Sequence, residues 1–481
     1  MVYKSFFKDT VIYGLASVLP RVINLALVAV FTAVLDRVDF SDQTTWYVYA
    51  AFINVLLTMG IETSFFRYYT SAADKDKVLG SSFFIHLISS LVFLFAGLLL
   101  AAPAGAFLGF KNALFIRILV LTTVLDTLVV IPFALLRVQG RPVRYFVLKM
   151  ANVLILALIT VFLLVGVPWL VGHRPDMAAG LGFEATYSPG VFHIITANLI
   201  ASLTTLFMLL PSLYRIGIKP DKGMVTQLLR YGWPIMVGGI AYAVNENVDK
   251  LLIQKLMDKE SNGVYAACYK LGVFMTLYIT AFRLGAEPFF FSHAHTSDAK
   301  QKYSTIMTWF VVFGSIFMLF VTGFIDILAS IILRNKVYTT GLYIVPVILL
   351  ANLFSGIYNN LSIWYKLTDR TRAGMYISIL GGVITIVSLY LFVPFYGIMG
   401  GAIATLITYF CMAVISYFFG RKFYPVPYEL PRIALIIGVS AFLSGLSFVN
   451  FRGNYTISTG LIAAFVIFVF LLQKEQIRKL R

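Results

Sequence analysis

Charge is scarce in this chain, and acid is scarcer than base: only 12% of 481 residues are Asp, Glu, Lys or Arg, 21 acidic against 38 basic. A soluble domain carries about a quarter of its residues as charges, so an ordinary soluble fold is excluded. Cysteine is nearly absent. Cys268 and Cys411 both lie inside apolar runs, which excludes a disulfide framework or a thiolate metal site and leaves small packing residues. His293 and His295 face apart on a helix, so no metal centre is expected. No nucleotide-binding glycine loop, Ser/His/Asp arrangement or pair of outer-loop carboxylates is present. Neither a catalytic residue nor a cofactor is expected, and the chain reads as something other than an enzyme.

What is abundant is apolar. With 60% hydrophobic residues and a mean hydropathy of +0.88, the sequence specifies an all-α polytopic membrane protein. A net charge of +17 would suit nucleic acid if the bases clustered. They sit singly or in small groups between apolar runs, as cytoplasmic loops do, so no nucleic-acid partner is expected.

A bilayer-crossing helix needs roughly 20 mostly apolar residues. Runs that qualify fall at about 10–35, 44–66, 79–102, 113–136, 145–168, 190–214, 227–254, 263–290, 304–332, 339–365, 373–394, 398–420, 431–449 and 455–473, about fourteen in all. The first, about 26 residues with Arg21 in its middle and no small-residue cleavage pattern after it, is expected to stay as a helix. Lysines and arginines alternate across this count, about 25 on the side of Lys4 and Arg137 against about 8 on the side of Arg37 and Arg174. That bias places both termini in the cytoplasm. The longest outer loop, about 166–190, is too short for a separate domain, so function is expected within the membrane.

The chain also starts over. Tyr13-Gly14, Pro20 and a second run ending Gly60-Ile-Glu62-Thr-Ser-Phe65-Phe66 reappear as Tyr231-Gly232, Pro234 and Gly285-Ala-Glu287-Pro-Phe-Phe290-Phe291. Arg137 and Arg141 after the fourth run are echoed by Lys366 and Arg370 after the tenth. Six helices separate the two starts, so the halves share one orientation, as in parallel-repeat transporters. The expected organisation is a six-helix lobe over 1–218, a second over 219–423, and two additional helices with a cytoplasmic tail over 424–481.

An ionisable side chain at the bilayer centre costs roughly 2.5 to 3.5 kcal/mol, so each one there should face a cavity or a partner. Arg21 lies near mid-depth with Asn24 one turn on; its partner is either an anionic substrate or a carbonyl beside Pro20. Tyr242, Asn245, Glu246 and Asp249 form a polar stripe on the seventh helix. Glu246 and Lys250 are spaced to neutralise each other, leaving Asp249 to look elsewhere, with Lys270 nearest in sequence. Arg283 with Glu287, and Glu62 with Arg67, make two symmetry-related acid and base sets, read as an inner gate or clasp or as interfacial charges. Asp126 and Asp326 are the remaining buried acids, and either is a candidate for a coupling proton. Asn352, Ser355, Asn359 and Ser362 form a neutral stripe, read first as interhelical hydrogen-bond glue and second as a sugar-binding wall.

The segments GIETSFFRYY (60–69), IPFALLRVQGRP (131–142), RYGWPIMVGGIA with Asp249-Lys250, GVYAACYKLG (263–272) and VPFYGIMGGAIAT (393–405) resemble the polysaccharide-export flippases, the Wzx-type "polysaccharide biosynthesis protein". These belong to the multidrug/oligosaccharidyl-lipid/polysaccharide transporter superfamily. The resemblance implies a MATE-like pair of lobes around a cavity that opens alternately to each side. It implies transport of a polyprenyl-diphosphate-linked oligosaccharide for O-antigen, capsule or exopolysaccharide synthesis, in a bacterial inner membrane. Membrane lipid, H+ or Na+ as the coupling ion, and a polysaccharide polymerase machinery are the candidate partners. In this reading Arg21, Asn24, Asn245, Asp249, Lys270 and Arg283 line the cavity, and Glu62, Arg67, Asp126, Glu246 and Glu287 serve gating or coupling. A drug/cation antiporter of the same superfamily is the alternative, and a membrane glycosyltransferase, polymerase or ligase is the more remote one. The single Arg of the first helix, with no further base before Arg37, departs from the lipid II flippase pattern.

Overall fold

The computed structural model describes the backbone of residues 2–110, 112–214, 216–218, 220–293, 296–368 and 370–479; within these, the side chains of 2–11, 287, 288, 291, 292, 371 and 475–479 are not described. Among the described residues the structure is helical, without a strand. Thirteen helical segments are long and apolar enough to cross a membrane. A further helix, α12 (Lys222–Leu256), is 35 residues long but not apolar enough to be counted with them.

The chain divides into two compact units, 1–247 and 248–481, so the division falls inside α12, later than the repeat boundary proposed at 218/219. In unit 1 the elements are α1 (Val2–Val34), α2 (Arg37–Thr58), α3 (Ile61–Ser71), α4 (Lys75–Leu99), α5 (Ala101–Leu108), α6 (Ala113–Leu128), α7 (Val130–Val138), α8 (Pro142–Val161), α9 (Val167–His173), α10 (Pro175–Gly180), α11 (Val191–Leu213) and the first part of α12. In unit 2 the rest of α12 is followed by α13 (Lys259–Ser292), α14 (Ala299–Gly323), α15 (Ile325–Ile332), a 3-10 turn (Lys336–Ile344), α16 (Val345–Leu361), α17 (Ile363–Leu367), α18 (Thr371–Tyr396), α19 (Ile398–Phe423), α20 (Leu430–Asn450) and α21 (Tyr455–Lys479).

The second apolar run, expected as one helix, is broken. Met59 and Gly60 both take the left-handed conformation, φ 48° and 68°, and the chain restarts as α3. The break frees carbonyls that lipid cannot satisfy. Ser89 Oγ of α4 donates to Leu57 O at 3.1 Å, and His86 Nε2 meets Thr58 O at 3.2 Å. His86 is thereby a buried core histidine that caps the break. The early turns of α12 press on the same point: a Cβ on Gly60 would stand 2.5 Å from the Gly232 carbonyl, and one on Gly232 would stand 2.5 Å from the Met59 carbonyl. Ser64 Oγ adds a hydrogen bond to Leu228 O at 3.1 Å. Ile61, Phe65, Val78, Leu79, Ile131 and Leu228 close an apolar core around this junction.

The fifth run is continuous but passes through one wide turn, Phe162–Gly166. Pro168 has no N–H to return to the Leu163 carbonyl, and the Tyr187 hydroxyl donates to it instead, at 2.8 Å.

The last two helices are tied to unit 2 by hydroxyls rather than by shape alone. Ser440 of α20 donates to Ser315 of α14 at 3.2 Å, Ser444 to Thr322 at 2.9 Å, and Ser447 meets Ser458 of α21 at 3.1 Å. At the end of this ladder Arg452 grips Asp326 with two nitrogens, at 2.6 to 3.2 Å. Asp326, expected as a candidate proton carrier, is held instead as the fixed acceptor of a bidentate pair.

Candidate functional site

In unit 2 the polar centre lies where α12 ends and α13 begins. Lys250 Nζ stands 2.9 Å from Asp249 Oδ1 and 3.1 Å from Oδ2, and the Tyr265 hydroxyl donates to Oδ2 at 2.7 Å. The ammonium also lies 3.9 Å from the centre of the Tyr269 ring. Asp249, Lys250 and Tyr265 are 2%, 6% and 0% exposed, so this is a dry ion pair with its remaining valences filled. Close approach of α19 makes the dryness possible: a Cβ on Gly401 would lie 2.6 Å from Ile253 and 3.2 Å from Tyr265. Thr405, one turn further, is buried beside them.

This corrects the expected partner of Asp249. Its carboxylate is filled by Lys250 and Tyr265, not by Lys270. Helical neighbours normally diverge, but the long Lys stem folds back where burial leaves no water to solvate it. Lys270, half-buried in α13, has no hydrogen-bond or ion-pair acceptor among the described residues. Arg283 is exposed and lines a narrow crevice of about 20 Å³ together with Asn359, Asn360, Ser362 and Lys366. From the neutral stripe of the tenth run, Asn352 is spent on Gly272 O at 3.1 Å, while Asn359 faces the crevice. A second groove, about 530 Å³ and apolar, runs between α14, α16, α19 and α20, with Phe354, Phe410, Phe418 and Tyr428 in its walls.

In unit 1 Glu62 and Arg67, expected as one acid and base set, take different partners. Glu62 Oε1 accepts from Arg137 Nη1 of α7 at 3.1 Å, with both side chains more than 40% exposed. Arg67 lies over the Tyr231 ring at 4.6 Å. Asp126 of α6 accepts from Ser202 of α11 at 2.7 Å. Around it Asn198 donates to Tyr47 at 3.0 Å and Asn152 to Thr205 at 2.8 Å, a polar seam through the unit's interior. Arg21 and Asn24 are exposed on α1, Asn245 is 4% exposed, and Glu246 is half-buried. The side chain of Glu287 and all of His295 lie outside the described residues.

Sequence reasoning missed Tyr265, Thr405 and Lys149, and saw Arg137 only as a rim base. Lys149 sits inside α8. The signal available was the echo between Arg137 and Lys366 at equivalent helix ends; nothing local marks Tyr265.

The arrangement resembles known proteins at two levels. The fold matches the solved structure of the lipid II flippase MurJ in an inward closed conformation, with a TM-score of 0.69 over 97% of this chain and 100% of that one, at 16% identity. It also matches an inward-facing multidrug resistance MATE family transporter of the MOP superfamily, TM-score 0.68 over 86% and 95%, at 14% identity. By sequence, an uncharacterized membrane protein of Methanocaldococcus jannaschii is 25% identical over 193 residues, 40% of this chain and 45% of that protein. The chain thus spans less than half the length of that curated relative. The model of the family described as "Polysaccharide biosynthesis protein" matches residues 6–293, and with that match the chain belongs to the polysaccharide biosynthesis protein family, on the fold of the MOP superfamily transporters.

Proposed function

We propose that the protein is a flippase that carries a polyprenyl-diphosphate-linked oligosaccharide across a bacterial inner membrane, with both termini cytoplasmic, by alternating access of its two lobes. The observation that carries this reading is the charge balance of the spanning helices. Glu62, Asp126, Asp249 and Asp326 all have hydrogen-bonding or ionic partners and Glu246 is likewise engaged, whereas Lys270 has no acceptor among the described residues. A site for cationic drugs needs an acid left open; this set leaves a base open, which suits a diphosphate. The apolar groove beside α20 suits an isoprenoid tail that stays in the hydrocarbon while the head crosses.

In this reading Arg21, Lys270 and Arg283 contact the diphosphate, Asn24 and Asn245 the sugar, and Asp249 holds the fold of the site. The test is the leaflet distribution of the lipid-linked sugar in cells that lack the protein. Accumulation in the inner leaflet, reversed by the wild-type gene and not by Lys270→Gln, is expected. An unchanged sugar distribution together with new sensitivity to cationic drugs would move the reading to the antiporter.

A further inference from the structure

Within the spanning helices of unit 1, Lys149 is a half-buried cation that no acceptor reaches among the described residues. Lys149 lies inside α8, about 10 Å along the helix from Pro142 at 1.5 Å per residue. Its ammonium sits 4.4 Å from the centre of the Phe133 ring, and no hydrogen bond or ion pair reaches it among the described residues. The neighbouring charges are Asp126, Glu62 and Arg137. Neither carboxylate is within bonding distance of it: Asp126 accepts from Ser202 at 2.7 Å, and Glu62 is joined to Arg137 at 3.1 Å. Arg137 and Arg67 in the same unit are held differently, one by a carboxylate and the other over a ring.

A lysine near a helix end often reaches back to the headgroups. Here the contact with Phe133 fixes the ammonium inward, on the side of Asp126 and the aromatic wall formed by Phe133, Tyr145 and Tyr13, whose rings meet at 5.5 Å. An ammonium within a spanning helix with its three donors unused is expensive to keep unless an anion visits it. Asp126 provides charge close by without closing the site, so the resting lysine is steadied and still exchangeable.

We infer that Lys149 is an anion-binding residue of unit 1 that takes a phosphate of the substrate, with Asp126 as the standby counter-charge between visits. This rests on the flippase reading above, and the experiment separates the two. The full-length protein in phosphatidylcholine nanodiscs is titrated with farnesyl diphosphate and, separately, with inorganic pyrophosphate, for wild type, Lys149→Gln and Lys149→Arg. Losing a hydrogen bond between charged groups should weaken binding by roughly tenfold to a hundredfold in Lys149→Gln. Lys149→Arg, which keeps the charge, should stay within about threefold of wild type. Unchanged melting temperatures exclude a general loss of fold, and Lys149→Met, which keeps the stem's packing, replaces the Gln variant if that one does not accumulate.

Equal loss for both ligands supports the site with the diphosphate head alone as the recognised group; loss confined to farnesyl diphosphate supports the lipid-linked form. Wild-type affinity in Lys149→Gln overturns the inference while leaving the flippase reading intact. Competition by added phosphatidylglycerol overturns it in favour of a bilayer headgroup. A wild-type protein that binds neither ligand overturns both.

Discussion

Two stretches that spell nearly the same motif, Gly60-x-Glu62 in unit 1 and Gly285-x-Glu287 in unit 2, fold differently. Gly60 ends a helix, with φ 68° and the backbone of Gly232 in the place a Cβ would need. Gly285 sits inside the uninterrupted α13 with nothing within 4 Å of where its Cβ would be. A shared motif therefore does not fix a shared conformation: the structural demand on each residue is set by what packs against it. The charge pairs make the same contrast. Unit 2 holds a dry Asp249–Lys250 pair, and unit 1 an open Glu62–Arg137 pair more than 40% exposed.

The largest effect that would sharpen this contrast is expected at the break. Gly60→Val adds a strained left-handed residue and a backbone clash, together at least about 3 kcal/mol. Thermal unfolding followed by size-exclusion chromatography should show loss of the monodisperse peak. Gly285→Ala should instead be neutral or raise stability by up to about 1 kcal/mol, since helix interiors favour Ala. A Gly285 variant as damaged as the Gly60 one would break the comparison.

Next in size is the dry pair. Asp249→Asn or Lys250→Met alone leaves one buried charge uncompensated and should cost about 3 to 5 kcal/mol, whereas the double variant should recover much of it. A double-mutant cycle read by melting temperature checks this; strictly additive losses would mean that the two side chains act separately. The smallest effect is expected for Glu62→Gln, at most about 1 kcal/mol, because that pair is open to screening. Its melting shift should shrink further at high salt.

Much of the fold was legible because a bilayer enforces length and polarity. The apolar runs gave the helices, whereas the division into two units falls inside α12, after the restart at Tyr231-Gly232. The break at Met59 was not legible, since Gly60 and Gly285 are equivalent as letters and differ only in their neighbours. The site was legible as a set of charges and not as a set of partners. Local spacing pointed Lys250 toward Glu246 and Asp249 toward Lys270, whereas Asp249 is satisfied by its own neighbour and by Tyr265. Likewise Glu62 finds Arg137 across 75 positions of sequence, a distance over which helical periodicity says nothing.

The hydroxyl ladder on α20 bears on how the protein is assembled. The helices of α14 enter the bilayer before α20 and α21 are made, so Ser315 and Thr322 wait in hydrocarbon for partners that do not yet exist. Waiting costs little, because a serine or threonine hydroxyl can bond back to its own helix, as Ser440 still does to Ile437 O at 3.0 Å. When the last hairpin arrives, these bonds are exchanged for interhelical ones at Ser440 and Ser444 and pinned by Arg452 on Asp326. Docking of α20 on α14 thus runs along a rail of hydroxyls, with the register written into the spacing of the serines.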